Sequence, residues 1–596
     1  MKAVELEEDT ILYQMQNEAA KRGRKVLSLR ASKVVDFSSQ YGSNDSISYT
    51  AENLIGSPTI YPRSGDNAYS FQLRTYGKWW HMLPSSRNRQ LLLPSKTPVE
   101  SQDFIEFQVE ERVAPLLIRI YEVYNPGAIV KLLCYCYDTR RWVVLWQDEP
   151  QVLPSNQSNC FTVEMKGADF LTDYYRIEFY HQHLNYFFEI DGLILYGEEN
   201  FSRYFSNFSL YQSDHLKRLF RPPDSIEDNT ETLEQDSSTL KSTSSYFDML
   251  PDEVMHFIIG YLDLQSLCLT AKVSKQFRNL CYDPVLYKNL DLQLYWHLVD
   301  SNALNSLKSR LTSLQKLNLS WCGGQERITS PYFIEFLKTS CELLTSLNLS
   351  NCPFVDNNCL KAVAYYCPSL KELQLQSCRS RDLTQNGFKC ISAMTNLTYL
   401  DLYRTLIGKS ALISVIRSLK LEHLFLGSCT NIQDINEVAR AIGQCLNYTL
   451  KSLDLWRISD LTCLGMNAIA ENCHNLVELD LGWCHQVDAS CGCIRHLITH
   501  CPMLKKLFLT AIRTISSNDI NAIACHCPDL EQLDILGTPE VSYAAVKYLL
   551  QKCKKLKLLD ISYCNTAVNN NAQELQATFE NVKIQCSLYW PLNFVD

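Results

Sequence analysis

The chain has 596 residues, of which 46% are hydrophobic, so its length suggests three or four structural units with large buried cores. A net charge of −9 argues against nucleic acid as the main partner. No run reaches the ~18 apolar residues that a membrane-spanning helix needs, and the sequence therefore predicts no transmembrane span.

Residues 1–32 are predicted to be a flexible N-terminus. Their basic residues are of the kind that a mitochondrial presequence uses, and they are Lys21, Arg22, Arg24, Lys25 and Arg30. The segment opens, however, with MKAVELEEDT, and presequences are poor in acids. Two interpretations stay open, a targeting segment and a solvated basic tail.

Residues 33–200 contain short β-rich runs such as DFIEFQVEERV, PLLIRIYEVY and FEIDGLILYG, separated by Pro, Gly and Asn. Several such runs at this spacing predict an antiparallel β-sandwich. Their order resembles the discoidin-like or galactose-binding-like jelly roll, whose members bind glycans, lipid head groups or peptides through loops. Trp79, Trp80 and His81 form a candidate loop of that kind if the tryptophans are exposed, and belong to the core if they are buried.

Residues 201–245 are predicted to be an acidic linker. The run PPDSIEDNTETLEQDSSTLKSTSS combines six acids and one lysine with many Ser and Thr residues. Such a composition buries too little apolar surface to fold, and we expect the segment to be disordered.

Residues 246–290 predict three short helices. Asp252 and Glu253 follow Pro251 in the first turn of the first helix, where acids interact favourably with the helix dipole. The apolar positions recur at helical spacing, and they are Val254, Phe257, Ile258 and Leu262, then Leu264 and Leu267, then Val273, Phe277 and Leu280. So small a unit needs something to dock on. The pattern alone leaves open whether it is only the N-terminal cap of the repeats that follow.

Residues 291–596 repeat the phrase Leu-x-x-Leu-x-Leu ten times. It starts at Leu314, Leu344, Leu370, Leu397, Leu421, Leu450, Leu476, Leu504, Leu530 and Leu556. A period in the twenties is typical of leucine-rich repeats, each with one strand and one helix. The sequence thus predicts an α/β solenoid whose concave face binds other proteins. Irregular units around Leu290 and Phe579 are predicted to cover its two ends.

Twenty of the 25 cysteines lie between Cys322 and Cys586, within the repeats. Six end the phrase, and six precede it by three residues, which is typical of small buried residues between coils. The pairs Cys134/Cys136, Cys491/Cys493 and Cys525/Cys527 lack a second pair at zinc-site spacing, and we interpret them as structural, with no metal. A disulfide framework is the alternative, but no secretory signal supports a secreted protein.

Acidic and aromatic residues follow the outward-facing strand positions and their edges. They are Tyr399, Asp401, Tyr403, Asp454, Trp456, Asp480, Trp483, Asp534 and Asp560. Aromatic side chains beside an acidic stripe suit a basic or amphipathic protein substrate. Aspartate at this position also hydrogen-bonds within the repeat itself, which is the alternative interpretation.

The run LPDEV…I…YLDLQSL…AKVSKQFRNL…DPVLY resembles an F-box, with Tyr287 in place of the usual tryptophan. F-boxes bind the Skp adaptor, which joins them to the cullin and RING subunits of a ubiquitin ligase. The resemblance implies that adaptor contacts fall on Leu250, Pro251, Val254, Ile258, Leu262, Leu267 and Val273. An F-box followed by cysteine-rich leucine repeats is the layout of the F-box/leucine-rich-repeat family.

The runs VVDFSSQYGSNDSISYTAENL, LRTYGKWW and YNPGA, with the repeats, resemble a mitochondrial member of that family along nearly the whole chain. The implied fold class is multidomain α+β, with a β-sandwich, a three-helix F-box and a leucine-rich-repeat solenoid. The implied function is substrate recognition in a Skp–cullin–F-box ligase, acting on outer-membrane proteins such as mitophagy receptors. The implied location is the outer surface of mitochondria, with peripheral membrane association, or else the cytoplasm or nucleus.

The chain itself is predicted to be neither an enzyme nor a cofactor protein, because it contains no P-loop, GxSxG motif, zinc-ligand set or RING-like array. Two other classes stay open. One is a leucine-repeat scaffold outside any ligase, and the other is a glycan- or lipid-binding protein led by the β-sandwich.

Overall fold

The computed structural model describes residues 2–42, 48–74, 100–165, 168, 170–184, 186–199, 247 and 250–587, with side chains from residue 12 onward. Trp79, Trp80, His81 and the predicted linker 201–245 lie outside these residues. Among the helices that are described, none is long and apolar enough to cross a membrane.

The N-terminal domain is an antiparallel β structure preceded by helix α1 (Lys2–Lys21). Its described strands are β1 Val26–Leu29, β2 Ala31–Phe37, β3 Phe71–Gln72, β4 Asp103–Tyr124, β5 Ile129–Cys136, β6 Arg141–Gln147, β7 Asn159–Glu164, β8 Thr172–Phe179 and β9 Glu189–Glu198. The long strand β4 joins two sheets, because its first half pairs with β2 and β8 and its second half with β7 and β9. The antiparallel architecture is thereby confirmed, while the likeness to a discoidin jelly roll stays a prediction.

The domain begins earlier than the sequence predicts. Strand β1 pairs with β9, and the predicted boundary at residue 33 falls inside β2. Arg22 and Arg24 of the basic run both pair with the buried carboxylate of Glu198, at 2.9 and 2.7 Å. These two arginines therefore connect the end of α1 to the sheet, and a role of the segment in targeting stays a prediction.

Glu122 is a buried acid in the second half of β4. Its Oε1 accepts a hydrogen bond from the Gly127 amide at 2.8 Å, and its Oε2 accepts one from the Asn159 side chain at 2.8 Å. Burial nevertheless raises the pKa of Glu122 to about 7, because these neutral donors do not offset the loss of hydration.

We expect Glu122→Gln to remove a pH dependence of stability. The folded chain keeps a proton on Glu122 that the unfolded chain releases near its ordinary pKa of about 4.3. The stabilisation is therefore complete below that pH and is lost as the pH rises through about 7. The Tm of the variant minus that of the wild type should be more positive at about pH 8 than at about pH 5. An equal Tm difference at both pH values would contradict this expectation.

Three short helices follow, as predicted: α2 Asp252–Ile259, α3 Leu264–Thr270 and α4 Lys275–Cys281. Asp263 and Ser274 cap α3 and α4 by accepting from the Ser266 and Phe277 amides. Their common core consists of Met255, Ile259, Leu267, Ala271 and Cys281. The unit also docks on the solenoid, because Leu264 and Leu286 pack against the core of the repeats.

The solenoid is one parallel sheet whose strands follow each other in chain order. They are β10 Asn289–Asp291, β11 Lys316–Asn318, β12 Ser346–Asn348, β13 Glu372–Gln374, β14 Tyr399–Asp401, β15 His423–Phe425, β16 Ser452–Asp454, β17 Glu478–Asp480, β18 Lys506–Phe508, β19 Gln532–Asp534, β20 Leu558–Asp560 and β21 Lys583–Gln585. The central residues, from Leu290 to Ile584, align across every pair. The predicted repeats and both irregular end units are thus present.

One helix or more separates successive strands, and neighbouring helices pack side by side. They are α5 Ser301–Leu307, α6 Ser330–Ser340, α7 Asn357–Tyr366, α8 Gln385–Cys390, α9 Lys409–Ser418, α10 Ile435–Cys445, α11 Cys463–Ala470, α12 Cys493–His500, α13 Ser517–His526, α14 Tyr543–Lys552, α15 Thr566–Asn570 and α16 Ala572–Thr578.

Hydrogen bonds between coils explain the regular cysteines. The coils of β11 to β20 each turn after the strand through one left-handed residue, a conformation that glycine adopts most easily and that Gly537 supplies in one repeat. The cysteine that follows this residue donates its thiol to a carbonyl of the preceding coil, as between Cys352 and Leu319 and between Cys429 and Leu402, both at 2.9 Å. These thiols are buried small donors, as the repeat spacing predicts.

Candidate functional site

Helix α2 of the three-helix unit is apolar on two opposite faces. Met255 and Ile259 fill the core, whereas Val254, Phe257 and Ile258 point outward. Phe257 is 67% exposed, and its ring meets that of Tyr261 edge to face at 5.0 Å. We call Val254, Phe257, Ile258 and Tyr261 the α2 face. Val254, Phe257 and Ile258 lie along one side of the helix, and Tyr261, two residues beyond its end, extends the apolar surface that they form.

The predicted adaptor contacts divide into three groups. Pro251, Val254, Ile258 and Val273 are exposed, and Leu250 and Leu262 are half-buried against the core of the three helices. Leu267 is buried in that core, with 5% of its surface exposed, and its contact with the adaptor stays a prediction. Phe257 and Tyr261 are exposed residues that the prediction omitted, although their helical spacing from Val254 and Ile258 was a usable signal.

The aspartates of the solenoid strands lie on the concave side, as predicted. In each of them, Oδ1 accepts a hydrogen bond from the backbone amide two residues further on, at 2.8 or 2.9 Å. These aspartates are Asp401, Asp454, Asp480, Asp534 and Asp560. The interpretation that these carboxylates bond within their own repeats is thereby confirmed.

The second carboxylate oxygen of three of these aspartates contacts the N-terminal domain. Arg74 reaches Asp454 Oδ2 through one terminal nitrogen and Asp480 Oδ2 through the other, both at 2.8 Å. Tyr186 donates its hydroxyl to Asp560 Oδ2. The acidic stripe therefore already has cationic and hydroxyl partners from the same chain.

Aromatic side chains surround these polar contacts. The Arg74 guanidinium lies 4.7 Å from the ring of Trp456, and the ring of Tyr41 lies 5.3 Å from Trp456 and 6.2 Å from Trp483. We call the combined apolar set the interdomain cluster, and it consists of Tyr41, Tyr49, Tyr186, Phe187, Tyr403, Trp456, Trp483, Phe508, Leu536 and Leu558. Most of these rings are almost fully buried, so the two domains share one core.

Polar contacts continue to both ends of the concave face. At the first coil, Trp296 donates its indole N–H to Glu178 at 2.7 Å. At the last coils, Tyr49 donates to the Tyr563 hydroxyl at 3.0 Å. The N-terminal domain thus contacts the solenoid from its first coil to its last coils, although Lys316 at the start of one strand stays exposed.

All nine predicted substrate residues are buried at or beside this contact. These residues therefore contact the N-terminal domain of the same chain, and substrate contact by their side chains stays a prediction. The electrostatics reflect the loss of water. Burial raises the pKa of Asp401 to about 6, and it raises that of Asp480 to about 7 despite the Arg74 guanidinium.

The chain is similar to known proteins at its three short helices and over nearly its whole length. The F-box-like family model matches residues 247–293. The bovine (Bos taurus) protein called F-box/LRR-repeat protein 4 is 39% identical over 573 residues, which cover 94% of this chain and 91% of that protein. The chain belongs to the F-box/LRR-repeat family. The resemblance that the sequence suggested is confirmed, and the three helices α2–α4 are its F-box.

Other similarities cover less of this F-box/LRR-repeat protein. F-box protein SKIP1 of Arabidopsis thaliana is 28% identical over 247 residues, or 39% of this chain and 78% of that protein. A chain in the crystal structure of the Rad7 and Elc1 complex in yeast aligns over 56% of this chain and 87% of its own, with 16% identity and a TM-score of 0.37.

Proposed function

We propose that this protein is the substrate-recognition subunit of a Skp–cullin–F-box ubiquitin ligase. The α2 face is the observation that carries the proposal. An apolar helix face next to a polar rim is a common docking surface for a groove on a partner protein. The F-box contacts the first coils through Arg310, which donates to the Tyr287 hydroxyl at 3.3 Å and stacks 3.7 Å from the Tyr282 ring.

In this role the chain positions the substrate and contributes no catalytic group. A substrate held beside a ubiquitin-charged enzyme reacts as part of one complex, which raises the rate without a catalytic group in the receptor. Because the F-box and the solenoid share packed residues, a substrate on the solenoid keeps a fixed distance from the adaptor.

We further propose that substrate binds a surface made jointly by the N-terminal domain and the solenoid. The buried cluster between the two domains joins their surfaces, so a substrate that touches both would meet side chains that neither domain supplies alone. On the family resemblance, the substrates are mitochondrial outer-membrane proteins such as mitophagy receptors, and the protein acts at the outer surface of mitochondria.

The full chain and the purified Skp adaptor test this function together. We expect one complex on size-exclusion chromatography with a submicromolar Kd by calorimetry. Absence of binding by the full chain would replace the ligase proposal with that of a leucine-repeat scaffold. Fractionation with protease protection tests the location separately, because a cytosolic or nuclear result would overturn the mitochondrial proposal and leave adaptor binding intact.

A further inference from the structure

Three cysteines from two successive repeats meet at the edge of the solenoid. Cys463 begins helix α11, while Cys491 and Cys493 stand on either side of Gly492 just before and at the start of α12. Their sulfur atoms all lie within 4.8 Å of one another. The left-handed conformation of Gly492, with φ of +86°, allows the chain to turn both neighbouring thiols toward Cys463.

A single backbone oxygen lies beside all three thiols. The carbonyl of Asp488 is 3.2 Å from the sulfur of Cys463, 3.0 Å from that of Cys491 and 3.4 Å from that of Cys493. A tetrahedral zinc ion with Zn–S bonds of ~2.3 Å would place its donors roughly 3.5 to 3.8 Å apart. Shifts of about 1 Å or less would therefore turn the four atoms into a zinc site.

These thiols differ from the cysteines that build the solenoid core. The core cysteines are buried at two repeated positions, whereas Cys491 is exposed and Cys463 is half-exposed. Only Cys493 is buried, beneath the other two. From the sequence, Cys491 and Cys493 are interpreted as a structural pair, because no second pair is near in the chain. The fold brings Cys463 to them from the preceding repeat.

We propose that Cys463, Cys491 and Cys493 form a binding site for Zn²⁺, with an oxygen donor at the fourth position. Three thiolates select a soft metal ion, and an oxygen beside them suits Zn²⁺ better than Cu⁺, which prefers sulfur ligands alone. The bound ion connects α11 to the turn before α12 and so ties two neighbouring repeats together. The site is independent of the proposed ligase function.

The full chain, reduced with a phosphine and stripped of metal, is the material for the test, and ZnCl₂ is the ligand. The wild type should bind one equivalent, and Cys463→Ser/Cys491→Ser should lose affinity by at least about 100-fold. Co²⁺ is the second probe, because a tetrahedral thiolate site gives it intense visible absorption that the double variant should lack. The matched control is Cys445→Ser/Cys525→Ser, which removes two exposed cysteines elsewhere on the solenoid and should bind like the wild type.

Circular dichroism and thermal unfolding establish that each variant is folded. The zinc site is overturned if the reduced wild type binds no Zn²⁺, or if the Cys463/Cys491 variant is folded and binds it as tightly as the wild type. It is also overturned if the control variant loses the ion instead, or if Cu⁺ binds and Zn²⁺ does not.

Discussion

Ile258→Asp should weaken binding of the Skp adaptor by about 100-fold or more, which is roughly 3 kcal/mol. Ile258 lies at the middle of the α2 face and is 44% exposed, so its side chain is available to a partner. Association would bury the new carboxylate among apolar groups without a counter-charge, and such burial is costly. Calorimetry with the purified adaptor measures the loss.

The folded state of the F-box should not depend on Ile258. The core of the three helices is formed by the opposite side of α2, through Met255 and Ile259. Thermal unfolding of Ile258→Asp should therefore match the wild type within a degree or two, as surface substitutions usually do. Leu250→Ala is a poorer test, because Leu250 packs against that core and its loss would also loosen the helices.

Tyr365→Asp is the matched control for this experiment. Tyr365 lies on α7 of the solenoid and is 77% exposed. Its substitution by Asp likewise replaces a large exposed side chain with an acidic one. It should leave adaptor binding unchanged. If Ile258→Asp binds as well as Tyr365→Asp, the α2 face is not the adaptor surface.

Arg74→Met should destabilise the full chain by about 3–5 kcal/mol. The arginine side chain is only 4% exposed, and it is the cation between Asp454 and Asp480. Removing it leaves two carboxylates buried without a positive partner, and the cost of an unpaired buried charge exceeds that of a lost surface contact. The midpoint of urea unfolding and hydrogen exchange in β16 and β17 measure the effect, and exchange should rise first in these two strands.

Two further variants show whether unpaired charge is the cause. Arg74→Met/Asp454→Asn/Asp480→Asn should recover much of the lost stability, since the charges are gone and the Asn Oδ1 atoms still accept from the backbone. The chain already uses this arrangement, because Asn318 and Asn348 accept from the Ser320 and Ser350 amides at the equivalent positions. If the triple variant is no more stable than Arg74→Met, the loss of stability comes from the shape of the arginine side chain and not from unpaired charge.

Lys409→Met serves as the control for an ion pair at the surface. Lys409 lies 2.6 Å from Glu437, but both side chains are exposed to water. Solvent and salt screen such pairs, so little change in unfolding is expected. An equal effect of Lys409→Met and Arg74→Met would show that the contact between the two domains adds nothing to stability.

The N-terminal domain and the solenoid are joined by a buried contact in this protein. The N-terminal domain is bound along the solenoid through the Arg74 pairs, the interdomain cluster and contacts at both ends. Loss of one contact such as Arg74 should therefore separate the two domains locally. The Arg74 variants also test whether substrate binds better when the two domains are in contact or when they are locally separated.

Local chemistry determined much of this protein from the sequence alone. The three short F-box helices, the Asp263 cap and the twelve aligned strands of the described solenoid depend on contacts within a few residues or between neighbouring repeats. The internal hydrogen bonds of the concave aspartates are of the same kind, since donor and acceptor are two residues apart. Periodicity and capping report such contacts directly.

Tertiary structure alone decided which of these residues are accessible. Leu267 and Ile258 are both apolar residues at helical spacing, and only the packing of three helices places one inside and the other on the surface. The stripe of aspartates predicted a cationic partner but not its source, because Arg74 lies 406 residues away from Asp480 in the chain. Contacts between side chains so far apart leave no spacing to recognise, since they depend on how two independently patterned domains fit together.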